Sequence, residues 1–395
     1  MKDEKKAPKL RFKGFTDDWE QCKLGDVASF TNGRAYKQDE LLDKGKYRVL
    51  RVGNLYTNDS WYYSNMELDD KYYINKGDLI YTWSATFGPH IWDGERAIYH
   101  YHIWKVELSD YLDKKFATQL LEIDKTKLLS NTNGSTMVHI TKNGMENKQV
   151  ILPSITEQSC IGKLLRNLDQ TITLHEEKKH QLERLKSALL QKMFADESGY
   201  PVVRFSNFGD KWKQYKLSDI GEIVTGSTPP RQHPEYYSDN GILWVTPTDI
   251  TDNLISDTAK KLSVSGTRAA QVVPAGSILV TCIASIGKNA LLLTEGSFNQ
   301  QINCIVPNSN KFDSYYLLTE SFQWVDPMRR IAGAGTMQIV NKHNFSEINT
   351  FIPELEEQIV IGNIFSKLDS LIALYKQKLE KINILKQCLL QKMFI

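Results

Sequence analysis

The sequence predicts an α+β protein: two β-rich domains separated by two long antiparallel coiled-coil helices, arranged as a pseudo-two-fold internal repeat. Three observations lead to this fold class. Two stretches occur twice in the same order, each repeat closes with a long helical pattern, and the middle of each repeat contains short apolar runs typical of β-strands. The length of 395 residues exceeds that of most single domains, which agrees with two units.

The duplication rests on two matched stretches. Residues 10–26 read LRFKGFTDDWEQCKLGD and residues 203–219 read VRFSNFGDKWKQYKLSD, at an offset of 193. Residues 150–169 read VILPSITEQSCIGKLLRNLD and residues 350–369 read TFIPELEEQIVIGNIFSKLD, at an offset of 200 that still holds at two identical LLQKMF endings. Two independent matches in the same order establish an internal repeat.

The middle segments of the repeats differ from each other. Residues 34–133 and 227–334 show no convincing alignment, although both contain apolar runs such as DLIYTW and SILVTCIASIG. Drift after duplication with loop-like middles is the alternative, but these runs favour folded β-rich domains. A shared frame with two different middles therefore predicts two similar domains with different binding specificities. The predicted boundaries are 1–156 and 197–356 for the β-rich domains and 157–196 and 357–395 for the helices.

The closing helical patterns, roughly 157–194 and 357–394, have apolar residues spaced as in a coiled coil. Their equal phase and length favour pairing with each other over two unrelated amphipathic helices. A helix of this length spans about 57 Å. Antiparallel pairing would place the two middles at opposite ends and return the second helix to the first opening segment. The predicted seam is Ile161, Leu164, Leu168, Thr171, His175, Lys178, Leu182, Leu185 and Leu189, with Ile361, Ile364, Leu368, Leu371, Tyr375, Lys378, Ile382, Leu385 and Leu389 in the second copy.

Composition excludes several classes of protein. The net charge of +2 gives no global basic signal, so any nucleic-acid binding must come from local patches. The five scattered cysteines form no CxxC pair, which argues against a zinc site or a disulfide framework and, with a charged N-terminus and no long apolar run, predicts a cytoplasmic protein without a membrane span. No ATP-binding P-loop occurs. Gly333-Ala334-Gly335 lacks a supporting nucleotide-binding unit, and His100 and His102 lack a third metal ligand nearby.

This layout resembles the specificity subunits of Type I restriction-modification systems over nearly the whole chain. The resemblance is carried by the RF…F.D.W….L.D opening (11–26, 204–219), the P…EQ..IG…..LD helix start (153–169, 353–369), and the order of opening, middle and long helix, repeated once. The second middle also resembles target-recognition domains of that family, in GSTPPRQHPEYY (226–237), ILWVTPTDI (242–250), SILVTCIASIGK (277–288) and NQQINCIVP (299–307).

The resemblance implies that each middle is a target-recognition domain reading one half of an interrupted double-stranded DNA target, while the helices fix the gap. It also implies a non-catalytic subunit without a bound cofactor or metal. Two modification subunits would use S-adenosylmethionine to methylate an adenine in each half-site, and two restriction subunits would use ATP and Mg²⁺. Two unlike middles predict two unlike half-sites. A stand-alone DNA-binding regulator and a coiled-coil scaffold remain alternatives.

Residues that could contact DNA are basic, amide and hydroxyl side chains in the loops of the middle segments. Gly33 and Gly226 are expected to serve turns instead. The candidates are Arg34, Arg51, Asn54, Trp83, Ser84, Asn133, Ser135, Thr136 and Lys142 in the first repeat, and Thr228, Arg231, Thr246, Thr248, Ser285, Lys288, Gln300, Arg329, Arg330, Thr336, Gln338 and Lys342 in the second.

Overall fold

The computed structural model describes residues 7–84, 86–130, 140–333 and 338–395. The chain forms two compact units. The first unit comprises Met1–Glu176 with Lys378–Ile395, and the second comprises Glu177–Gln377. Both units contain part of each long helix, so a repeat in sequence is not the same as a unit in space. Within the described residues, no helix is both long and apolar enough to cross a membrane.

The first unit contains mainly short strands and one medium-length helix. Its strands are β1 (Glu20–Lys23), β2 (Ala28–Asn32), β3 (Tyr47–Leu50), β4 (Tyr62–Ser64), β5 (Tyr73–Ile74), β6 (Leu79–Ser84), β7 (Thr86–Ile91), β8 (Ala97–Tyr99), β9 (Ile103–Leu108) and β10 (Gln149–Leu152). Its helices are α1 (Leu24–Val27), α2 (Lys114–Ser130), α3 (Lys142–Glu146) and the first part of α4 (Ile155–Lys192), with 3-10 helices at Gln38–Glu40, Val52–Leu55 and Asp70–Tyr72.

The second unit has a similar set of elements. Its strands are β11 (Lys213–Lys216), β12 (Gly221–Thr225), β13 (Tyr237–Val245), β14 (Leu254–Ile255), β15 (Lys261–Leu262), β16 (Val272–Val273), β17 (Ile278–Thr281), β18 (Asn289–Leu292), β19 (Gly296–Phe298), β20 (Ile302–Pro307) and β21 (Asn349–Ile352). Its helices are α5 (Leu217–Ile220), α6 (Val264–Thr267), α7 (Ser314–Glu320), α8 (Val325–Ala332), α9 (Lys342–Ser346) and the first part of α10 (Leu355–Met393), with 3-10 helices at Pro234–Tyr236 and Ser321–Trp324.

The two middle segments share one sheet topology, which the sequence comparison did not reveal. In the first unit the sheets have the orders β2-β9-β6-β7 and β4-β3-β8-β5; in the second they are β12-β20-β17-β18-β14 and β15-β13-β19-β16. The central pair of each second sheet is parallel in both units, β3 with β8 and β13 with β19. The expectation of two different middles is therefore wrong at the level of the backbone. Among the described residues, the second unit differs in its strand order by the addition of β14 at a sheet edge.

The repeated sequence motifs build the frame of each unit. The guanidinium of Arg11 donates to both carboxylate oxygens of Glu157 at 2.8 and 2.7 Å, and Arg204 binds Glu357 in the same way at 2.8 Å twice. Both glutamates are almost fully buried. The next residue in each motif is a glutamine whose side chain accepts from a loop N–H at 2.9 Å, Gln158 in the first unit and its counterpart in the second. The motifs persist because each buried polar group depends on a specific partner.

Each opening segment joins the end of a long helix through the same backbone hydrogen bond. Leu10 N–H donates to the Lys392 carbonyl, and Val203 N–H donates to the Lys192 carbonyl, both at 2.8 Å. In the second unit the helix end directly precedes the opening segment along the chain. In the first unit it comes from the C-terminal helix, so the prediction that this helix returns beside the first opening segment is confirmed.

The long helices run antiparallel within each unit, as predicted. In the first unit Lys386 lies 2.5 Å from Asp169, and in the second Lys186 lies 2.6 Å from Asp369. Aromatic and apolar residues close the same helix pairs, for example Phe194 against Phe365 with ring centroids 5.7 Å apart. These contacts pair the beginning of one helix with the end of the other. The α+β class with two β-rich domains and two long antiparallel helices is confirmed.

At three of the nine predicted seam positions in each helix, the inward residue is the next one along the chain. Leu185 and Leu385 are about half exposed, at 47% and 48%, while Lys186 and Lys386 turn inward to their aspartates. Leu165 is fully buried, and the predicted Leu164 beside it is half-buried and packs against the same core. Positions three and four residues apart both fall on one helix face, so periodicity alone does not choose between them. The inward residues are 161, 164, 165, 168, 172, 175, 179, 182, 186 and 189, and the same positions plus 200 in the second copy.

Candidate DNA-recognition loops

Loops of the second unit meet at one end of its two sheets. We call residues 226–231, 246–249, 282–288, 299–301 and the segment 329–333 with 338, which begins in the last turn of helix α8, the second loop cluster. The Thr228 hydroxyl donates to the side-chain oxygen of Gln300. Cys282 N–H donates to the Gln301 carbonyl at 2.8 Å. The ammonium of Lys288 donates to the Pro247 carbonyl at 2.9 Å. These bonds join four of the five loops.

An open cavity in this cluster gathers four of the predicted residues, Ser285, Lys288, Arg329 and Gln338. The fifth loop joins here, because Ala284 N–H donates to the Gln338 carbonyl at 3.1 Å. Ala284 has a φ of 63°, a left-handed conformation that is uncommon for a residue with a side chain. Backbone strain of this kind concentrates at functional sites, and two cations beside it suit an anionic ligand.

Loops of the first unit meet in an equivalent place. We call residues 32–36, 51–54, 83–84 and 100–102 the first loop cluster. Trp83 N–H donates to the His102 carbonyl at 3.2 Å, and the indole N–H of Trp83 donates to the Tyr101 carbonyl at 3.1 Å. Aromatic rings pack through the cluster, since Trp83 stacks on Trp104 with centroids 5.7 Å apart and an interplanar angle of 22°.

Matching backbone hydrogen bonds define equivalent positions in the two clusters. Gly33 N–H donates to the Ile103 carbonyl, as Gly226 N–H donates to the Ile302 carbonyl, at 3.1 Å in both. A Cβ at Gly33 would lie 2.3 Å from the Tyr99 carbonyl oxygen, and one at Gly226 would lie 2.2 Å from that of Asn299. Such distances are too short for any side chain. The two glycines therefore permit close approach of two backbones, which is a structural role other than the predicted one in a turn.

A second set of bonds extends this equivalence. The peptide N–H of His100 donates to the Leu50 carbonyl, and that of Asn299 to the Val245 carbonyl, both at 2.9 Å. The turn after each of these strands is closed by its fourth residue. Asn54 accepts from Arg51 N–H at 3.1 Å, and Asp249 accepts from Thr246 N–H at 2.8 Å.

Equivalent positions carry different side chains. The pairs that follow from the bonds are Arg34 and Ser227, Arg51 and Thr246, Asn54 and Asp249, Trp83 and Cys282, His100 and Asn299, Tyr101 and Gln300, and His102 and Gln301. The first cluster is rich in arginine, histidine and aromatic rings, whereas the second is rich in amides and hydroxyls. One backbone frame therefore presents two different chemical surfaces.

Some predicted residues serve the fold of their own loop. Arg34 forms a bidentate ion pair with Glu40, at 3.0 and 2.7 Å, and lies 5.2 Å over the Tyr36 ring. The Arg51 guanidinium lies 4.2 Å over the Tyr62 ring. The Asn54 amide donates to two carbonyls of its own loop. These contacts within the protein explain the positions of the three side chains, so no contact with DNA is needed to explain them.

The remaining predicted residues fall into four groups. Ser84 ends strand β6 and is partly buried, and Thr246 and Thr248 hydrogen-bond each other at 2.8 Å. Lys142 and Lys342 begin helices α3 and α9, and Lys142 pairs with Glu146 at 3.5 Å. Arg231 and Arg330 are exposed in or beside the second loop cluster. Asn133, Ser135, Thr136 and Thr336 lie outside the described residues.

The sequence comparison missed three residues of the first cluster, His100, Tyr101 and His102, as candidates for recognition. They connect β8 to β9, and their equivalents in the second unit include the predicted Gln300. Burial and the neighbouring His102 lower the pKa of the His100 imidazole. A faint signal was present, because Gly77 and Gly88 recur as Gly276 and Gly287 at one offset around the preceding hairpin.

Metal chemistry finds no support within the part of the chain that the structure describes, where no group of three or more His, Cys, Asp or Glu side chains could hold an ion. The rings of His100 and His102 lie 5.0 Å apart in the connection between β8 and β9, without a third ligand among the described residues. His102 packs edge-to-face on Trp83 with ring centroids 5.1 Å apart, and His100 lies beside the Tyr36 ring, which accounts for their positions.

A family model for the Type I restriction modification DNA specificity domain matches residues 16–184 and 209–383. These two matches cover most of the chain and coincide with its two repeats. The chain belongs to this family.

Individual relatives agree with the assignment. The chain is 22% identical over 395 residues to the Type I restriction enzyme MjaVIII specificity subunit of Methanocaldococcus jannaschii, covering 93% of this chain and 89% of that protein. It is 24% identical over 417 residues to the EcoBI specificity subunit of Escherichia coli, covering 96% and 86%. The crystal structure of a Type I restriction-modification S subunit from M. genitalium matches the fold with a TM-score of 0.67 at 15% identity, covering 98% and 99% of the two chains.

Proposed function

We propose that this chain is the DNA sequence-specificity subunit of a Type I restriction-modification complex, in which each β-rich domain reads one half of a gapped, asymmetric target. Family membership supports the class of protein. The observation that carries the proposal is the pair of matched loop clusters, which have the same backbone hydrogen bonds and different side chains. Such a pair suits two related tasks on two unlike sequences.

The chemistry of the clusters suits DNA. Among the described residues, Arg231, Lys288, Arg329 and Arg330 form no ion pair with a carboxylate, so their charge is available to phosphates. Amides and hydroxyls beside them can bind base edges, and phosphate contacts can set the register. With a net charge of only +2, binding would depend on these local groups.

The long helices are proposed to set the gap between the half-sites. They have 38 and 39 residues, which corresponds to about 57 Å at 1.5 Å per residue. Such a length is on the order of one to two turns of duplex DNA. Removing matched whole heptads from both helices should shorten the gap and leave the bases of both half-sites unchanged.

The proposed partners are two modification and two restriction subunits, which would bind S-adenosylmethionine, ATP and Mg²⁺, with none of these cofactors held by this chain. The relatives are named as specificity subunits of restriction enzymes, which supports a role inside a larger complex. Exposed leucines recur at equivalent helix positions, Leu174 with Leu374 and Leu185 with Leu385. Repeated apolar positions fit two copies of one partner.

The deciding experiment is single-molecule methylation mapping of host DNA with and without the gene. A gapped, asymmetric adenine-methylated motif that disappears on deletion and returns on complementation supports the proposal. An unchanged methylome, in cells that express the chain together with its modification subunit, would refute it. Binding assays then separate the alternatives: tight specific binding by the chain alone identifies a regulator, and no DNA binding identifies a scaffold.

A further inference from the structure

A three-residue connection joins the two sheets in each unit. It consists of residues 100–102 between β8 and β9, and residues 299–301 between β19 and β20. The first residue of the connection donates its N–H to the parallel neighbouring strand. Its carbonyl accepts from the first residue of the following strand, at 2.9 Å from Ile103 N–H in the first unit and 3.1 Å from Ile302 N–H in the second. The carbonyl of the third residue accepts from the peptide N–H of Trp83 in the first unit and of Cys282 in the second, both in the hairpin that precedes the connection in the chain. The backbone of the connection is thus fixed at both ends in both units.

The middle residue of the connection projects from this fixed backbone. Tyr101 is 44% exposed and Gln300 is exposed, whereas their neighbours His100, Asn299 and Gln301 are buried or half-buried. A fixed backbone with one exposed side chain gives precise placement without the entropy cost of ordering a mobile loop.

The two middle residues offer different chemistry. Tyr101 presents an aromatic ring that packs edge-to-face on Trp83, with centroids 5.3 Å apart. Gln300 presents an amide whose oxygen accepts from the Thr228 hydroxyl. That bond leaves the amide N–H₂ and the second lone pair of the oxygen for a ligand, which is the donor and acceptor pair that adenine matches in the major groove. An aromatic ring instead suits apolar contact with the methyl group of thymine.

We infer that Tyr101 and Gln300 are equivalent specificity-determining residues, each reading one base of its own half-site. Gln300 reads an adenine through its amide, and Tyr101 reads a thymine through its ring. The inference rests on the proposed function. It adds that recognition in the two domains occurs at the same backbone position, with the side chain alone deciding which base is read.

The test is methylation mapping in cells that carry the complete system with single variants of this chain. Tyr101→Ala should relax one thymine position of one half-site, and Gln300→Ala should relax one adenine position of the other. The preference for the original base should fall roughly 5- to 150-fold at that position, as expected for loss of one good base contact. Because the fixing hydrogen bonds belong to the backbone, neither variant should alter the remaining bases.

Matched controls are Tyr111→Ala and Gln214→Ala. Tyr111 is 77% exposed, Gln214 is exposed, and both lie outside the loop clusters. Both controls should leave the motif unchanged. Since the alanine variants could abolish methylation altogether, Tyr101→Gln and Gln300→Met retain a long side chain at each position, without the ring or the amide, and provide a second pair.

Three results would overturn the inference. The motif could remain unchanged in the variants of both pairs that still methylate, both positions could relax the same half-site, or the controls could relax the motif as much as the variants. Wild-type cells without any gapped motif would instead refute the proposed function, and the inference would fall with it. The wild-type arm therefore separates the two failures.

Discussion

The ion pair between Arg204 and Glu357 should contribute strongly to the stability of the second unit. Two charge-assisted hydrogen bonds of 2.8 Å join the side chains, with 14% of the arginine side chain and 2% of the glutamate side chain exposed. Arg204→Met removes both bonds and leaves a buried carboxylate without its cation. Loss of one partner of a buried pair costs about 3–5 kcal/mol of unfolding free energy. Because this cost reflects an uncompensated charge, Arg204→Met combined with Glu357→Leu should recover most of it.

The assay is chemical denaturation of the full chain combined with hydrogen exchange measured by mass spectrometry. Exchange reports local opening, so peptides of the second unit should lose protection in Arg204→Met while peptides of the first unit keep it. Arg11→Met is the matched variant, because the Arg11–Glu157 pair has the same geometry in the first unit. The reasoning is refuted if Arg204→Met is as stable as the wild type. It is also refuted if Arg204→Met with Glu357→Leu is no more stable than Arg204→Met alone.

Three further predictions follow from other features. Glu320 is buried, and burial raises its pKa to about 8, so the native state holds a proton that the unfolded chain releases near 4.5. The free energy of unfolding of the second unit should therefore fall as pH rises from about 4.5 to 8 and then level off. Glu320→Gln should remove this pH dependence and raise the free energy of unfolding by roughly 2–5 kcal/mol at pH 9. An unaltered pH dependence in denaturant titrations of the variant would contradict this prediction. Leu185 and Leu385 are both exposed, and the double variant Leu185→Glu with Leu385→Glu should no longer co-purify with the modification subunit while its circular dichroism spectrum stays native. Intact assembly of that variant would exclude this surface as the docking site. A circular permutant with the ends joined and a new start near Gly199 should fold and assemble, since each opening segment already bonds a helix end, and consistent failure to fold would count against that equivalence.

The middle segments show most clearly which similarity a sequence comparison does not detect. Strand pairing depends on backbone hydrogen bonds and on alternation of apolar side chains, and many sequences satisfy both. Two segments can therefore share a strand order while few residues match. At the loop clusters the side chains differ at nearly every equivalent position, for example Arg51 against Thr246 and Tyr101 against Gln300. The site was predicted only in part, because those substitutions remove the similarity that an alignment needs.

The sequence by itself determined the duplication, the two long helices, the family resemblance and the return of the last helix to the first opening segment. Those features rest on residues with specific partners, such as Arg11 with Glu157, which an alignment detects because few replacements satisfy a buried charge. Only the tertiary structure decided that the middles share one topology, that Lys186 instead of Leu185 faces inward, and that Tyr101 and Gln300 occupy one position. Helical periodicity does not choose between positions three and four residues on, and backbone pairing does not depend on side-chain identity, so these choices required the packed fold.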